Sequence, residues 1–372
     1  MNVYLDNAAT TKLSPAVKEY IISLLDTYSN PSSVYESGIQ SKRMLNQARY
    51  NVAKFINAKE REITFTSSGS ASNTLGIKGY CDAHAGDYSL YYSAIAHKSI
   101  QMCAKAYNGK MIPVDKYGVL DHDWLFNELY QDTCKNKLVV FDYANSEIGT
   151  IQPVSKIIKT VHFLLGTCLI DCTGSISTIP LDVKQLDADM VSFSAHKLCS
   201  LKGVGVLYKK PDINLSPLVY GSQENGLFGG TENFLGIMAL GKAVEDYSYN
   251  TNSSEKRDYV YSYIKKFIPQ SYLIGSAHRL KNNLYMCFRG VSGESLMTLL
   301  DSADIQVSTG SACSSGDNID SPTLLALGMN ADDIRSCIRM SFNGTETEAE
   351  LDYVCVKLEQ NVKALRMLNG ER

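Results

Sequence analysis

The chain has 372 residues, with 36 lysines and arginines against 39 aspartates and glutamates. Its formal net charge of −3 gives no electrostatic case for binding nucleic acid or an anionic membrane. Hydrophobic residues make up 44% of the chain and charged residues 20%, which is typical of globular proteins and predicts two domains, or one large α/β domain with a smaller companion.

The N-terminus and the cysteines predict a cytoplasmic protein. The first residues lack a basic region followed by an apolar stretch, so we expect no secretory signal. No run reaches the roughly 18 apolar residues that a membrane-spanning helix needs, so we expect no membrane span. The ten cysteines are scattered through a chain too long for a disulfide-stapled mini-domain, which favours a reducing compartment.

The first two-thirds of the chain predict an α/β domain. Residues 14–25 and 38–58 have apolar positions at helical spacing, and the first segment opens with Ser14 and Pro15. Strand-like runs then alternate with helical ones, which indicates a mostly parallel sheet flanked by helices. The predicted strands are residues 62–66, 88–92, 137–141, 167–170, 190–193 and 204–208.

The last third predicts a smaller α+β domain. The polar segment 248–255 is typical of a loop or domain junction. After it we expect a helix, a strand near residues 284–288, a helix from Glu294 and a final helix that begins with Thr345 and Glu348 as a capping box. We therefore predict a large domain of residues 14–247 and a small domain formed by residues 1–13 and 248–372.

Three polar signals follow successive predicted strands. Lys197 follows one strand and precedes a glycine-rich turn, where a lysine either pairs with an acid or becomes a nucleophilic amine. Asp171 ends an apolar strand, where a carboxylate can hold a pyridine nitrogen protonated. Residues 65–72 run from a strand into a helix through small hydroxyl residues, and such a helix N-terminus can bind phosphate. Each signal is common alone, but together they describe a pyridoxal phosphate site.

Nine short motifs are distributed along nearly the whole chain. They are YLDNAATT (4–11), SNPSS (29–33), FTSSGS (65–70), AHKS (96–99), ANSEIGTIQP (144–153), SFSAHK (192–197), GGTEN (229–233), STGSACSSG (308–316) and SCIRMSF (336–342). With these motifs the chain resembles the cysteine desulfurases, which belong to the class V aminotransferase group of fold-type I pyridoxal phosphate enzymes. The resemblance implies a PLP-dependent α/β fold with a large sheet domain and a smaller C-terminal domain.

The resemblance also assigns roles to residues around the cofactor. Lys197 would bond the cofactor covalently, Asp171 would pair with the pyridinium nitrogen, and His97 would stack on the ring and move protons. The phosphate would be held by Gly69, Ser70, Ser194 and His196. Thr231 matches a position that reaches the phosphate of the neighbouring subunit, which implies a homodimer.

The substrate residues follow from the same resemblance. Arg339 matches the arginine that grips the substrate carboxylate, which suits a planar, two-pronged donor. Asn145 would lie between the cofactor ring and the substrate, and Asn30 is a weaker candidate for the same pocket.

Cys313 is the predicted sulfur acceptor within the chain. It lies in a stretch of small polar residues and glycine, whereas most of the other cysteines are expected to be small core residues. The resemblance implies conversion of L-cysteine to L-alanine, with Lys197 or His97 removing the α proton and Cys313 becoming a persulfide. The segment after Cys313 is as long as in the family's longer-loop branch, which suits transfer to an acceptor protein.

Several positions depart from the family's pattern without touching Lys197, Asp171, His97, Cys313 or Arg339. In the family a glutamine hydrogen-bonds the cofactor's ring hydroxyl, and this chain has Gly174 at that position. The loss of this hydrogen bond costs on the order of 1 kcal/mol. We expect a divergent branch with a specialised task, or an enzyme that needs a partner. The departures are Tyr35 for histidine, Ala71 for glutamate, Ala96 for an acid, Gly174 for glutamine, Asn225 and Phe228 for arginines, and Gly344 for arginine.

Other interpretations remain open or are disfavoured. A related lyase acting on selenocysteine or cysteine sulfinate needs no thiol nucleophile, so Cys313 argues against it. A degenerate desulfurase that serves as a binding subunit is disfavoured by Lys197 and Cys313. Cys168, Cys172 and His162 suggest a metal site only weakly, because the predicted strand separates their side chains. The acceptor could be an iron-sulfur scaffold or a thiolation enzyme.

Overall fold

A computed structural model describes residues 1–245, 247–250, 252–309 and 321–370. Its strands are β1 Val3–Tyr4, β2 Ile63–Thr66, β3 Tyr88–Ser93, β4 Lys110–Ile112, β5 Asn136–Asp142, β6 Gly166–Asp171, β7 Met190–Ser194, β8 Gly205–Lys209, β9 Ser271–Leu273, β10 Asn283–Phe288, β11 Ile305–Gln306 and β12 Cys337–Ser341. Its helices are α1 Pro15–Ser23, α2 Glu36–Phe55, α3 Gly69–Ala83, α4 Lys98–Ala106, α5 His122–Gln131, α6 Val154–Phe163, α7 Val183–Leu186, α8 Phe234–Glu245, α9 Ser253–Phe267, α10 Gly293–Asp301, α11 Pro322–Ala326, α12 Ala331–Arg335 and α13 Glu348–Leu368.

A seven-stranded sheet forms the centre of the large α/β unit, in the order β2-β8-β7-β6-β5-β3-β4. The pairs from β4 across to β7 are parallel, and β8 pairs antiparallel with both β7 and β2. The predicted mostly parallel sheet is therefore confirmed. All six predicted strands are present, with ends that shift by at most one residue.

Helices cover both faces of this sheet, as a parallel sheet requires. Alternate residues of β5 point to opposite cores: Val139 and Phe141 join one cluster, and Leu138 and Val140 join the other. The first cluster also takes in apolar residues of α2, α6 and α8, and the second takes in residues of α3 and α4. Because both faces are buried, residues 138–141 of β5 are continuously apolar rather than alternating, which is why the strand could be predicted from sequence.

A second core forms around the antiparallel sheet β12-β10-β9. Helices α9, α10 and α13 contribute buried residues to it, and the short strand β1 pairs in parallel with β11. The strand near residues 284–288 and the helix at residue 294 are thus found as predicted. The domain boundaries remain a prediction.

The start of the final helix was predicted wrongly. The capping box is formed by Thr347 and Glu350, two residues beyond Thr345 and Glu348. Glu346 accepts the backbone N–H groups of Asn343 and Gly344, and Thr345 bonds the Asn343 side chain, so these residues form a turn of their own ahead of the helix.

Among the helices of the described ranges, none is long and apolar enough to span a membrane.

Candidate active site

The carboxyl ends of β5, β6 and β7 lie side by side, which is where open α/β sheets bind ligands. Asp142 ends β5 directly opposite Asp171 at the end of β6, and Asp171 lies opposite Ser192 on β7. Strand β7 ends at Ser194, and Lys197 follows in a short 3-10 turn over Ala195–Lys197. The fold therefore brings the predicted aspartate and lysine to one edge of the sheet.

Lys197 is held by the N-terminal segment of the chain. Its Nζ donates hydrogen bonds to the carbonyl oxygens of Ala8 and Ala9, the second at 2.8 Å. The same segment contacts the neighbouring His196, whose carbonyl accepts the N–H of Thr11 at 3.1 Å. Residues of the YLDNAATT motif thus form one wall of the site.

Asp171 is buried, with 4% of its surface exposed, and both carboxylate oxygens have donors. Oδ1 accepts the backbone N–H of Thr173 at 2.8 Å, and Oδ2 accepts the amide of Asn73 on α3 at 2.7 Å. These donors stabilise and orient the carboxylate, leaving it aimed along the strand end where a protonated ring nitrogen could lie.

A hydrogen-bonded chain connects Asp171 to His97. The Asn73 amide donates to Ser99 Oγ at 3.2 Å, and Ser99 Oγ lies 2.8 Å from His97 Nδ1. The backbone N–H of Ser99 also donates to His97 Nδ1 at 3.2 Å. Because Nδ1 accepts these donors, the neutral ring carries its proton on Nε2.

Sequence reasoning missed Asn73 and gave Ser99 no role. Ser99 stands in the AHKS motif, and Asn73 lies one helical turn beyond Gly69 on α3. That spacing places Asn73 on the same helix face as the N-terminus of α3, which was the signal available.

Asp142 was also missed, although it lies beside Asp171 in the sheet. Burial raises the pKa of Asp142 well above its ordinary value, the negative charge of Asp171 adds to the rise, and the N–H of His97 opposes it. That N–H lies 3.4 Å from Asp142 Oδ1. Two buried carboxyls at adjacent strand ends disfavour double ionisation, which favours the neutral form of Asp142.

A phosphate cradle lies at the N-terminus of α3. Ser68 caps this helix through the N–H of Ala71, which leaves the N–H groups of Gly69 and Ser70 without partners inside the helix. Thr173 Oγ1 is buried and makes no hydrogen bond to the described residues. A Cβ on Gly69 would lie 3.1 Å from this hydroxyl and 3.3 Å from Ser194 Cβ. The small residue and the orphaned hydroxyl fit an anion bound here.

His196 lies beside this cradle as a neutral ring. Burial, together with the positive charges of Lys197 and Lys202, lowers its pKa to about 4. Its Nδ1 lies 3.1 Å from Thr10 Oγ1, and the residue is half-buried. A neutral imidazole can donate one hydrogen bond to a phosphate oxygen without adding charge to the site.

Arg339 lies on β12 with 4% of its surface exposed. Its guanidinium donates to Asp6 Oδ1 at 2.8 Å and to the carbonyl of Ser146 at 3.3 Å. Asp6 belongs to the same N-terminal segment that holds Lys197. A carboxylate of this chain is therefore already paired with the arginine predicted to bind the substrate carboxylate.

Asn145 is buried in the turn after β5. Its side-chain oxygen accepts the N–H groups of Glu147 and Ile148, both at 2.9 Å, and its amide donates to the carbonyl of Ile95 at 2.8 Å. These bonds fix the turn, which also approaches Arg339 through Ser146.

Some predicted residues are not brought into this cluster. Asn30 is exposed, and its side chain accepts the N–H of Ser32 at 2.8 Å. Thr231 is exposed as well, beside Gly230 with a φ of 103°. Cys313 lies outside the described residues.

Two departures from the family's pattern have local causes. Ala96 is 3% exposed within an apolar cluster, where an acid would need a buried partner. Asn225 has a φ of 57° and ψ of 30°, a left-handed conformation that asparagine tolerates better than arginine.

Gly174 stands where the family has glutamine, and a Cβ there would lie 2.8 Å from the carbonyl oxygen of Ala144. We expect Gly174→Ala to lower the free energy of unfolding by about 1–3 kcal/mol, because the backbone must move to admit the methyl group. Urea unfolding of the two proteins at one pH measures this. Equal midpoints would show that the turn adapts without cost.

The weak metal interpretation of Cys168, Cys172 and His162 finds no geometry to support it. His162 Nε2 instead lies 2.8 Å from Asp189 Oδ2, and its Nδ1 lies 3.3 Å from Asp187. Within the described ranges, no three histidine, cysteine or acidic residues are grouped as metal ligands would be.

The family model for aminotransferase class-V matches residues 3–354. The chain belongs to the aminotransferase class V family. The structure agrees with this, since the lysine, the aspartate and the N-terminus of α3 lie at the carboxyl ends of β7, β6 and β2, on the same side of the sheet. Members of this family depend on pyridoxal 5′-phosphate, and the donors assembled around Asp171, Thr173 and α3 fit that group.

Several named proteins are similar to this chain along most of its length. The Cysteine desulfurase IscS of Methanosarcina thermophila is 35% identical, covering 99% of this chain and 93% of that protein. A NifS-like protein from Rickettsia africae is similar in structure with a TM-score of 0.90 and 28% identity, covering 98% of this chain and 100% of that one. A structure described as SspA in complex with cysteine has a TM-score of 0.81 at 25% identity, covering 93% of this chain and 100% of that one.

Proposed function

We propose that this protein is a pyridoxal phosphate-dependent cysteine desulfurase that converts L-cysteine to L-alanine and places the sulfur on Cys313. The observation that carries the proposal is that Lys197, Asp171 and the N-terminus of α3 lie at strand ends on the same side of the large sheet, in a chain similar along its length to proteins named cysteine desulfurase.

The described residues can each hold one part of the cofactor. Lys197 Nζ would bond its aldehyde carbon, Asp171 its ring nitrogen, and His97 would cover the ring. The phosphate would be held by residues around the cradle, namely Gly69, Ser70, Thr173, Ser194 and His196, with Thr231 contributed from a second subunit. Pyridoxal phosphate, when bound, supplies an electron sink for charge developed at the substrate Cα.

Arg339 would bind the substrate carboxylate. Asp6 holds the guanidinium before substrate arrives, at 2.8 Å, so the incoming carboxylate replaces or joins an existing ion pair. Asn145 fixes the turn beside Arg339, and the exposed Asn30 would serve at the pocket's outer edge.

His97 and Lys197 would have different roles. The neutral His97 ring carries its proton on Nε2 because Nδ1 accepts from Ser99, so Nε2 can donate a hydrogen bond while Nδ1 is not available as a base. Lys197 Nζ would therefore be the base that removes the α proton. Asn73 and Ser99 hold the imidazole in this tautomer from the Asp171 side.

Sulfur transfer completes the reaction. The Cys313 thiolate attacks the substrate sulfur, and the carbon–sulfur bond of L-cysteine breaks as the new sulfur–sulfur bond forms. The carbon fragment gains a proton at Cβ and regains one at Cα to become L-alanine. The enzyme is left with a persulfide for an acceptor.

We also propose a cytoplasmic homodimer with the domain division 14–247 against 1–13 and 248–372, which hands sulfur to an iron-sulfur scaffold or a thiolation enzyme. The exposure of Thr231 supports a second subunit at that position, and the scattered cysteines support the compartment.

The test is Cys313→Ala in the holoenzyme, assayed for L-alanine and protein persulfide from L-cysteine. We expect a loss of at least about 100-fold, because the thiol accepts the sulfur directly. Binding of L-cysteine, seen as a shift of the cofactor's visible absorption, should persist. Cys134→Ala is the control, since this half-buried thiol lies on the turn before β5.

The two alternatives predict other results. Retained activity in Cys313→Ala, together with turnover of selenocysteine or cysteine sulfinate, would favour the lyase. A wild-type protein that takes up no cofactor would favour a binding subunit.

A further inference from the structure

Two described residues flank the part of the chain that contains Cys313. Thr309 precedes it and Ser321 follows it, and Ser321 is buried with 6% of its surface exposed. Ser321 also caps α11 by accepting the N–H of Leu324 at 3.3 Å. The contacts of these two residues fix the chain on either side of this segment.

Both residues bond to one buried pair of side chains, Glu147 and Tyr285. The Tyr285 hydroxyl lies 3.1 Å from the carbonyl oxygen of Thr309 and 3.1 Å from Glu147 Oε1. Ser321 Oγ donates to the same Glu147 Oε1 at 2.6 Å. One carboxyl and one phenol therefore join the two flanks, although these lie far from Glu147 in sequence.

This pair is also connected to the active site. Glu147 lies two residues after Asn145, in the turn that Asn145 fixes, and Ser146 between them accepts a bond from Arg339. Tyr285 on β10 lies directly opposite Arg339 on β12, and Ser308 exchanges backbone hydrogen bonds with Arg339. Any shift of the pair would move the flanks relative to the substrate arginine.

The loss of one polar atom from Glu147 or Tyr285 would change the hydrogen bonds of both residues. Tyr285 is fully buried and has one proton, with two acceptors at equal distance. Burial raises the pKa of Glu147, and the hydroxyl of Ser321 and the charge of Arg339 oppose the rise. A neutral Glu147 could donate to the phenol oxygen, which leaves the phenol proton to the Thr309 carbonyl.

We propose that Glu147 and Tyr285 are positioning residues that hold Thr309 and Ser321 against the Asn145 turn and thereby set the rate of sulfur transfer to Cys313. The inference rests on the proposed desulfurase function. Neither Glu147 nor Tyr285 is expected to contact the cofactor or the substrate. The effect of losing the pair should therefore fall on the transfer step and not on substrate binding.

The experiment compares Tyr285→Phe and Glu147→Gln with wild type and with Tyr91→Phe, all as holoenzymes. Tyr91 is a matched control, because it too is fully buried and donates to a carboxylate, Asp132, at 2.8 Å, yet lies on β3 in the large sheet. Stopped-flow absorption measures L-cysteine binding, and rapid quenching with mass spectrometry measures persulfide on Cys313.

We expect Tyr285→Phe and Glu147→Gln to bind L-cysteine within twofold of wild type and to form persulfide at least tenfold more slowly. Tyr91→Phe should match wild type in both steps even if it melts earlier. Persulfide formation in Tyr285→Phe within twofold of Tyr91→Phe would overturn the proposal, as would an equal loss in binding and transfer.

Hydrogen exchange of the peptides that contain Thr309 and Ser321 separates this inference from the proposed function. Exchange there should quicken at least tenfold in Tyr285→Phe and stay unchanged in Tyr91→Phe, whether or not the wild type desulfurates cysteine. Unchanged exchange in Tyr285→Phe refutes the positioning role, while a wild type that forms no persulfide refutes the desulfurase function instead.

Discussion

Lys197→Ala is expected to abolish retention of pyridoxal phosphate through gel filtration and to lower desulfurase activity at least about a thousandfold. The change removes the amine that would bond the cofactor. Among the lysines of the described residues, only Lys197 donates to the carbonyl oxygens of Ala8 and Ala9 at this strand end, so no other lysine is placed to replace it. The visible absorption of the reconstituted protein measures the first effect and L-alanine release the second.

Lys202→Ala is the control for this change. Lys202 is exposed, lies in the same connection between β7 and β8, and is close enough for its charge to lower the pKa of His196. It should retain the cofactor and most of the activity. If Lys197→Ala kept a visible band as strong as that of Lys202→Ala, Lys197 would not be the attachment residue.

Asp171→Asn should weaken cofactor binding and lower kcat by about 10- to 100-fold, because a charge-assisted hydrogen bond to a ring nitrogen contributes roughly 1.5–3 kcal/mol. The substitution also presents an amide to the donors from Asn73 and Thr173. Asp142→Asn is the matched variant, one strand away. Since the neutral form of Asp142 is favoured already, its amide should change cofactor affinity by less than about threefold.

The burial of Asp142 beside Asp171 predicts that the stability of the cofactor-free protein depends on pH. The pKa of Asp142 is raised in the folded state, so its contribution to stability is complete below its ordinary value of 3.8 and is lost as pH rises through the raised value. Asp142→Asn should therefore unfold at the same temperature as wild type near pH 4 and at a higher one near pH 8. A constant difference across this range would mean that Asp142 does not titrate in the fold.

Six of the seven strands of the large sheet could be predicted because they are short runs dominated by apolar, aromatic or β-branched residues. Strand β5 is the clearest case, since residues 138–141 are all apolar and are buried on both faces of the sheet. Strands β1, β4, β9 and β11 have two or three residues each and depend on partners elsewhere in the chain. They are too short for a local hydrophobic period to indicate a strand. Strand β12 lies within the SCIRMSF motif, but the sequence does not predict it as a strand.

The candidate site was predictable where residue type implies chemistry and not where position alone creates it. Lys197 and Asp171 follow strands, and parallel strands bring such ends together. Asp142 has no unusual sequence neighbours, and its significance comes from its register with Asp171. Glu147 and Tyr285 are far apart in sequence, so only the fold shows that both approach Ser321 and Thr309.

The N-terminal segment has a consequence for how the protein is made. Strand β1 pairs with β11, and Asn7 and Ala8 bond to Ser341, so residues 3–8 are synthesised long before the residues with which they pair. Until then Asp6 cannot meet Arg339, nor can Ala8 and Ala9 be fixed beside Lys197. A nascent chain that ends before Ser341 therefore cannot assemble the finished site, and stable cofactor loading is expected to follow synthesis rather than accompany it.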